Sequence, residues 1–135
     1  MSSRKKKYRP KSFESTGASG DTSANIYNSM LTSAAFMDLK DRQQVLYFYC
    51  KNQYYGVRKP KLDYPDIEAV QSDECFYMNL ALAVKYGLYT KSGNKEFYKD
   101  MKALVEAGFI DVVSSGKITG KRSIYRFSDR WHNTG

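Results

Sequence analysis

The spacing of apolar positions along this 135-residue chain changes several times, and each change predicts an element. Met30, Leu31, Ala34 and Ala35 lie three and four apart, which predicts a short helix from about Tyr27 to Met37 with Phe36 anchoring its end. A turn at 38 to 41 follows, where Asp38 or Asp41 is placed to accept from the free amides of the next helix. That helix is expected over Asp41 to Tyr54, with Val45, Leu46, Tyr49, Cys50 and Gln53 on one face and Tyr47 and Phe48 widening it. The all-round apolar segment VLYFYC suits a helix at the centre of a core, and Gly56 supplies a stop.

Residues 57 to 74 contain two prolines and mixed charge, with Leu62, Ile67 and Val70 as isolated apolar anchors. They read as a long irregular connection with one helical turn near Asp66 to Val70. CFYM, Cys75 to Met78, is a short β-prone run, and Asn79 is a good N-cap for a helix closed by Gly87. The next helix, from Ser92 or Asn94 to Ala107, has the clearest period in the chain: Phe97, Met101, Leu104 and Val105, with Gly108 at the C-terminal cap. Lys95, Lys99 and Lys102 repeat at the same spacing on its other side with Tyr98 beside them, while Glu96 and Asp100 read as a third face. After Gly108 the period drops to about two. FIDVV at 109 to 113, a Gly-bounded loop at 114 to 120 and RSIYRF at 122 to 127 predict a β-hairpin, with Ile124 and Tyr125 or Phe127 packed on opposite faces.

Helix, helix, short strand, helix, turn, basic amphipathic helix and hairpin is the order of a winged helix-turn-helix domain. The expected fold class is therefore α+β: a helical core with a C-terminal β-hairpin wing and CFYM as a short third strand. The helix-turn-helix would be the pair 79 to 87 and 93 to 107. Residues 1 to 25 carry almost nothing to bury and read as a disordered basic arm, 26 to 132 as the domain, and 133 to 135 as a tail.

Composition narrows the partner. The formal net charge is +8, from 22 Lys plus Arg against 14 Asp plus Glu, and it is unevenly distributed. Residues 1 to 11 hold six cations and no acid, 12 to 84 hold six cations and nine acids, and 85 to 135 hold ten cations and five acids. A basic arm and a basic C-terminal third flank a mildly acidic middle, which points to a polyanion met by two surfaces. Two cysteines and one histidine are too few for a zinc cluster or a disulfide framework, so no metal or cofactor is expected and a reducing, cytoplasmic setting fits. No apolar stretch reaches membrane-spanning length and no apolar run follows the N-terminal cations, so neither a span nor a secretory leader is expected.

Four stretches, SMLTSAAFMDLKDRQQVLYFYC, FYMNLALAVKYGLY, FYKDMKALVEAGFI and SIYRFSDRW, cover roughly Met30 to Trp131. Together they resemble the small winged-helix proteins encoded by bacterial conjugative plasmids, integrative elements and phages, which include replication-initiation and transfer-origin accessory factors. The resemblance implies a DNA-binding role in transfer, replication initiation or local transcriptional control, with a relaxase or replication initiator as an additional partner.

The residues themselves nominate three contact sets for double-stranded DNA. In the recognition helix these are Ser92, Asn94, Lys95, Tyr98, Lys99 and Lys102, the alternative being a solvated helix face. In the wing they are Lys117, Thr119, Lys121 and Arg122, the alternative being an ordinary charged hairpin tip. In the arm they are Arg4, Lys5, Lys6, Lys7, Arg9 and Lys11, the alternatives being a solubilising tail or an import signal. The tyrosines at 47, 49, 86 and 125 are expected in the core, and 54, 55 and 89 are candidates for exposure. Trp131 is expected to close the core against helix one or two. A second functional class is a winged-helix module that docks another replication or transfer protein. An enzyme is not expected, since no H-E-x-x-H, G-x-S-x-G or Gly-rich phosphate loop occurs.

Overall fold

In the computed structural model, residues 9–19, 21, 23–53, 75–114 and 124–133 are described. Among them the chain runs α1 (Asn28–Leu31), α2 (Ala34–Met37), α3 (Asp41–Asn52), β1 (Cys75–Tyr77), α4 (Leu80–Lys85), α5 (Asn94–Glu106), β2 (Ile110–Ser114) and β3 (Ile124–Phe127), then a 3-10 turn at Arg130–Asn133. It is an α+β fold with a three-stranded antiparallel sheet in the order β1-β3-β2.

The single helix expected over 27 to 37 is two short ones, and the side chains at the break explain why. Thr32 Oγ1 donates to the Asn28 carbonyl (2.9 Å), and Ser33 Oγ donates to the Met30 carbonyl (2.6 Å) while accepting from Phe36 N (3.2 Å). These hydroxyls give the backbone local partners that compete with continued helix, and Ser33 restarts it as the N-cap of α2. The start of α3 also departs from expectation. Lys40 occupies the N-cap, Asp38 closes α2, and Asp41 lies in the first turn without capping it. The reciprocal cap comes from Gln43, whose Oε1 accepts from Lys40 N at 3.0 Å.

α3 ends at Asn52 rather than Tyr54, and its buried stripe is Gln43, Leu46, Tyr47 and Cys50. Val45, expected on that face, is 37% exposed, while Phe48 and Tyr49 are half-buried. A segment apolar on every side gives no direction by itself; the sheet and α5 choose which side goes in. Leu46, Phe97, Leu104 and Phe109 are completely buried, each stabilising the fold by about 1.5–3 kcal/mol against exposure.

The sheet has two packed faces. Phe76 stacks on Tyr125 (centroids 5.6 Å) and on Phe127 (4.3 Å), joining the strands to the helical core. On the other face Cys75, Tyr77 and Ile124 form a second cluster with half-buried Val113 against it. Period-two alternation thus places Ile124 and Tyr125 on opposite faces, both buried. β2 lies one residue later than expected and β3 ends at Phe127 as expected, with a register irregularity between Val112 and Ser114; the expected first residues of the return strand, 122 and 123, lie outside the described residues.

Two glycines end helices in the same way. After α4, Gly87 (φ +84°) and Leu88 donate to the carbonyls of Val84 (2.9 Å) and Ala83 (3.1 Å); after α5, Gly108 (φ +89°) and Phe109 donate to those of Val105 (3.1 Å) and Leu104 (3.0 Å). Both are Schellman closures, which need a left-handed residue. Gly108 is constrained twice over, because a Cβ there would come within 2.7 Å of Trp131 N. The 3-10 turn docks at that point: Trp131 N donates to the Gly108 carbonyl (3.1 Å), and the indole stacks on Phe109 (5.8 Å, 13°). Trp131 therefore reaches helices α2 and α3 through Phe109, whose ring edges onto Phe36 (6.0 Å) and tilts against Tyr47 (5.1 Å).

Candidate nucleic-acid interface

α5 has one side wholly committed to the protein. Phe97, Met101 and Leu104 are buried among the core residues, and so is Asp100, at 4% exposure. A buried carboxylate costs free energy unless its oxygens are satisfied. Here Oδ1 accepts from Gln43 Nε2 (3.1 Å), and Oδ2 accepts from Arg42 Nε (2.8 Å) and the Tyr89 hydroxyl (2.6 Å). Burial pushes this carboxyl upward, but the hydrogen bonds from Tyr89, Gln43 and Arg42, with the arginine's charge, outweigh it and hold the group below the usual carboxylate value. The Tyr89 phenol is pushed up by burial and by its donation to Asp100. This node ties the start of α3, the α4–α5 turn and the middle of α5 to one another, and thereby fixes which side of α5 points outward.

Two expectations are corrected here. Asp100 does not share an outer face with Glu96; at three residues from Phe97 and four from Leu104 it falls on the flank of the buried stripe. Tyr89, a candidate for exposure, is 8% exposed because its hydroxyl is needed on Asp100 and its ring packs edge-on to Phe97 at 5.5 Å. Tyr47 and Tyr125 are buried as expected, and Tyr49 and Tyr86 are half-buried and stacked on each other at 4.0 Å.

The opposite side of α5 carries Lys95, Tyr98, Lys99 and Lys102, all exposed. At 3.6 residues per turn these four fall within roughly 100° of arc, centred away from the core stripe. None of the three lysines forms an ion pair with another described residue. The Tyr98 ring, 51% exposed, packs edge-on to Phe97 (5.0 Å), so its direction is set by the core below it. Asn94 opens the helix and is exposed; Ser92 precedes it in the turn, its Oγ 3.2 Å from Thr90 Oγ1. The helix starts at Asn94, one of the two expected starts, and its N-cap is Gly93, a buried glycine without a side chain to satisfy the first amides. Exposed Glu96 and Glu106 sit near the two ends of the helix.

No comparison finds a relative: no protein-family model, curated protein or solved structure matches the chain.

The remaining candidates divide unequally. Lys117, Thr119, Lys121 and Arg122 lie outside the described residues, as do Arg4, Lys5, Lys6 and Lys7, and so does the 57 to 74 connection. Arg9 and Lys11 are described and exposed. Within the basic C-terminal third, Arg130 and Arg126 are not free cations: Asp111 pairs with Arg130 at 2.5 Å and with Arg126 at 3.8 Å. Arg130 also donates to the carbonyls of Val105 and Ile110 (3.0 Å each), clamping the end of α5 to β2. Two of the ten cations in that third are therefore engaged within the fold. No group of three or more potential metal ligands occurs among the described residues. Cys50 and Cys75 are buried and form no disulfide, and burial pushes the Cys50 thiol far up, away from a reactive thiolate. No described helix is long and apolar enough to cross a membrane.

Proposed function

We propose that this chain is a non-enzymatic winged-helix protein that binds double-stranded DNA through α5, the hairpin tip and the basic N-terminal arm, and that it serves a plasmid, conjugative element or phage in DNA transfer, replication initiation or local transcriptional control. The observation that carries this reading is the outward face of α5, with three lysines unpaired among the described residues and aligned on a helix whose other side is locked to the core. The order α3, β1, α4, α5, β2, β3 with sheet order β1-β3-β2 supports it, because a winged helix uses that connectivity to present its recognition helix and wing on one side. The assignment to mobile elements rests on the sequence resemblance alone.

Lysine supplies point charge rather than the planar fork that reads guanine, so phosphate contact is expected to dominate. If six to eight phosphates are neutralised across helix, wing and arm, log K should fall with log salt at a slope of roughly −5 to −7. Fluorescence anisotropy of a labelled duplex between low and moderate salt tests this. Absence of salt-sensitive binding would reject the DNA reading, and retention of a relaxase or initiator under those conditions would assign the chain to the protein-docking class.

A further inference from the structure

Arg42 belongs to none of the three contact sets, yet it is a cation held beside α5 by two separate contacts. Its Nε donates to Asp100 Oδ2 at 2.8 Å, and its guanidinium lies 4.8 Å over the centre of the Tyr89 ring. Asp100 is itself fixed by Gln43 and Tyr89, so the arginine is gripped by a buried carboxylate and an aromatic face at once. The side chain is still 46% exposed, and among the described residues its two terminal nitrogens have no partner. Arg42 lines a cleft of about 370 Å³ at the α4–α5 turn together with Leu88, Thr90, Ser92, Gly93 and Glu96.

A surface arginine normally loses rotamer freedom when it captures an anion, which offsets much of the gain. In Arg42 that loss is already incurred on folding, and what remains is a planar pair of donors of the kind that suits two oxygens of one phosphate. The Thr90 and Ser92 hydroxyls, 3.2 Å apart, are exposed at the same cleft and are able to donate to the same group. Glu96 lines the cleft too and opposes an anion there.

We propose that Arg42 clamps a backbone phosphodiester of the duplex that α5 faces, seated at the α4–α5 turn beside Thr90 and Ser92. This rests on the DNA-binding reading and adds to it a contact that α3, rather than the recognition helix or the wing, provides.

The test is anisotropy with one duplex across a salt series, using the full chain and three variants. Asp100→Asn alone disturbs the node but keeps the cation, and it is the reference for the double variant Arg42→Gln with Asp100→Asn, which removes the cation without stranding a carboxylate. Glu96→Gln leaves the Arg42 node intact and removes the opposing charge. The double variant should bind several-fold more weakly than Asp100→Asn with a salt slope shallower by about one, and Glu96→Gln should bind about threefold more tightly than the parent. Circular dichroism and a thermal melt establish that the variants are folded. If the parent chain binds with a steep salt slope while the folded double variant keeps the slope and affinity of Asp100→Asn, the Arg42 clamp is overturned and the DNA reading stands. If the parent shows no salt-sensitive binding, the DNA reading falls and the clamp falls with it. An unchanged or weakened affinity in Glu96→Gln would also count against a phosphate in this cleft.

Discussion

The two sides of α5 use polar groups in opposite ways. On the inner side Asp100 has three donors within 3.1 Å, all from the protein; on the outer side Lys95, Lys99 and Lys102 have no ion-pair partner among the described residues. One helix thus carries a fully satisfied node that fixes its orientation and a row of exposed lysines without ion-pair partners among the described residues. The lesson is that charge count alone is a poor guide to a binding surface. Arg126 and Arg130, cations like the lysines, are engaged by Asp111, and what distinguishes the lysines is that no acid among the described residues answers them.

Breaking the inner side should have the largest effect. Asp100→Ala strands the Tyr89 hydroxyl and the Gln43 amide in the interior, and each unsatisfied buried group costs about 1–3 kcal/mol; a loss of about 2–4 kcal/mol in a urea melt is expected, with weaker DNA binding because α5 loses its reference. Gly108→Ala comes next. The residue is held at φ +89° with Trp131 N only 2.7 Å from the new Cβ, so a loss of about 1–3 kcal/mol is expected by the same melt. A stability close to that of the parent would show that the 3-10 turn can move away from the α5–β2 corner.

Acid should act on the inner side alone. The Asp100 carboxyl lies below its ordinary value of 3.8 in the folded chain, so its contribution is complete above that value and is lost as the pH falls through the lower, folded one. Asp100→Asn should therefore be less stable than the parent near neutrality, and the gap should close in strong acid. Thermal melts from pH 7 to pH 2 measure it, and a gap that stays constant with pH would contradict the ionised node.

The outer side should be the mirror case. Lys99→Ala should change stability by less than about 0.5 kcal/mol, as exposed substitutions usually do, while making the salt slope of duplex binding shallower by about one. Equal slopes in variant and parent would remove Lys99 from the interface. Stability and binding thus separate on the two sides of one helix.

Much of the frame was legible beforehand because local rules dictated it. The 3.6 spacing of Phe97, Met101 and Leu104 gave α5; the caps at Asn79, Gly87 and Gly108 set helix ends; and the change to period two marked the hairpin. Where the reading failed, the deciding force was not local. Thr32 and Ser33 divided a helix through backbone competition that apolar spacing ignores. Tyr89 was drawn inward by a carboxylate eleven residues away, and Asp100 by Arg42 and Gln43, 58 and 57 residues earlier. The position of Asp100 on the helical wheel, at the edge of the buried stripe, was the one available signal.

Periodicity and turn chemistry depend on neighbours a few residues apart, and so the sequence by itself determined the kinds of element, their order and the basic row on α5. The direction in which α3 turns its all-round apolar surface, the inward fate of Asp100, the engagement of Arg126 and Arg130 by Asp111 and the fixed posture of Arg42 were decided only by the tertiary structure. Each depends on which distant groups meet, and a buried charge takes whatever partners the packing brings within hydrogen-bond reach.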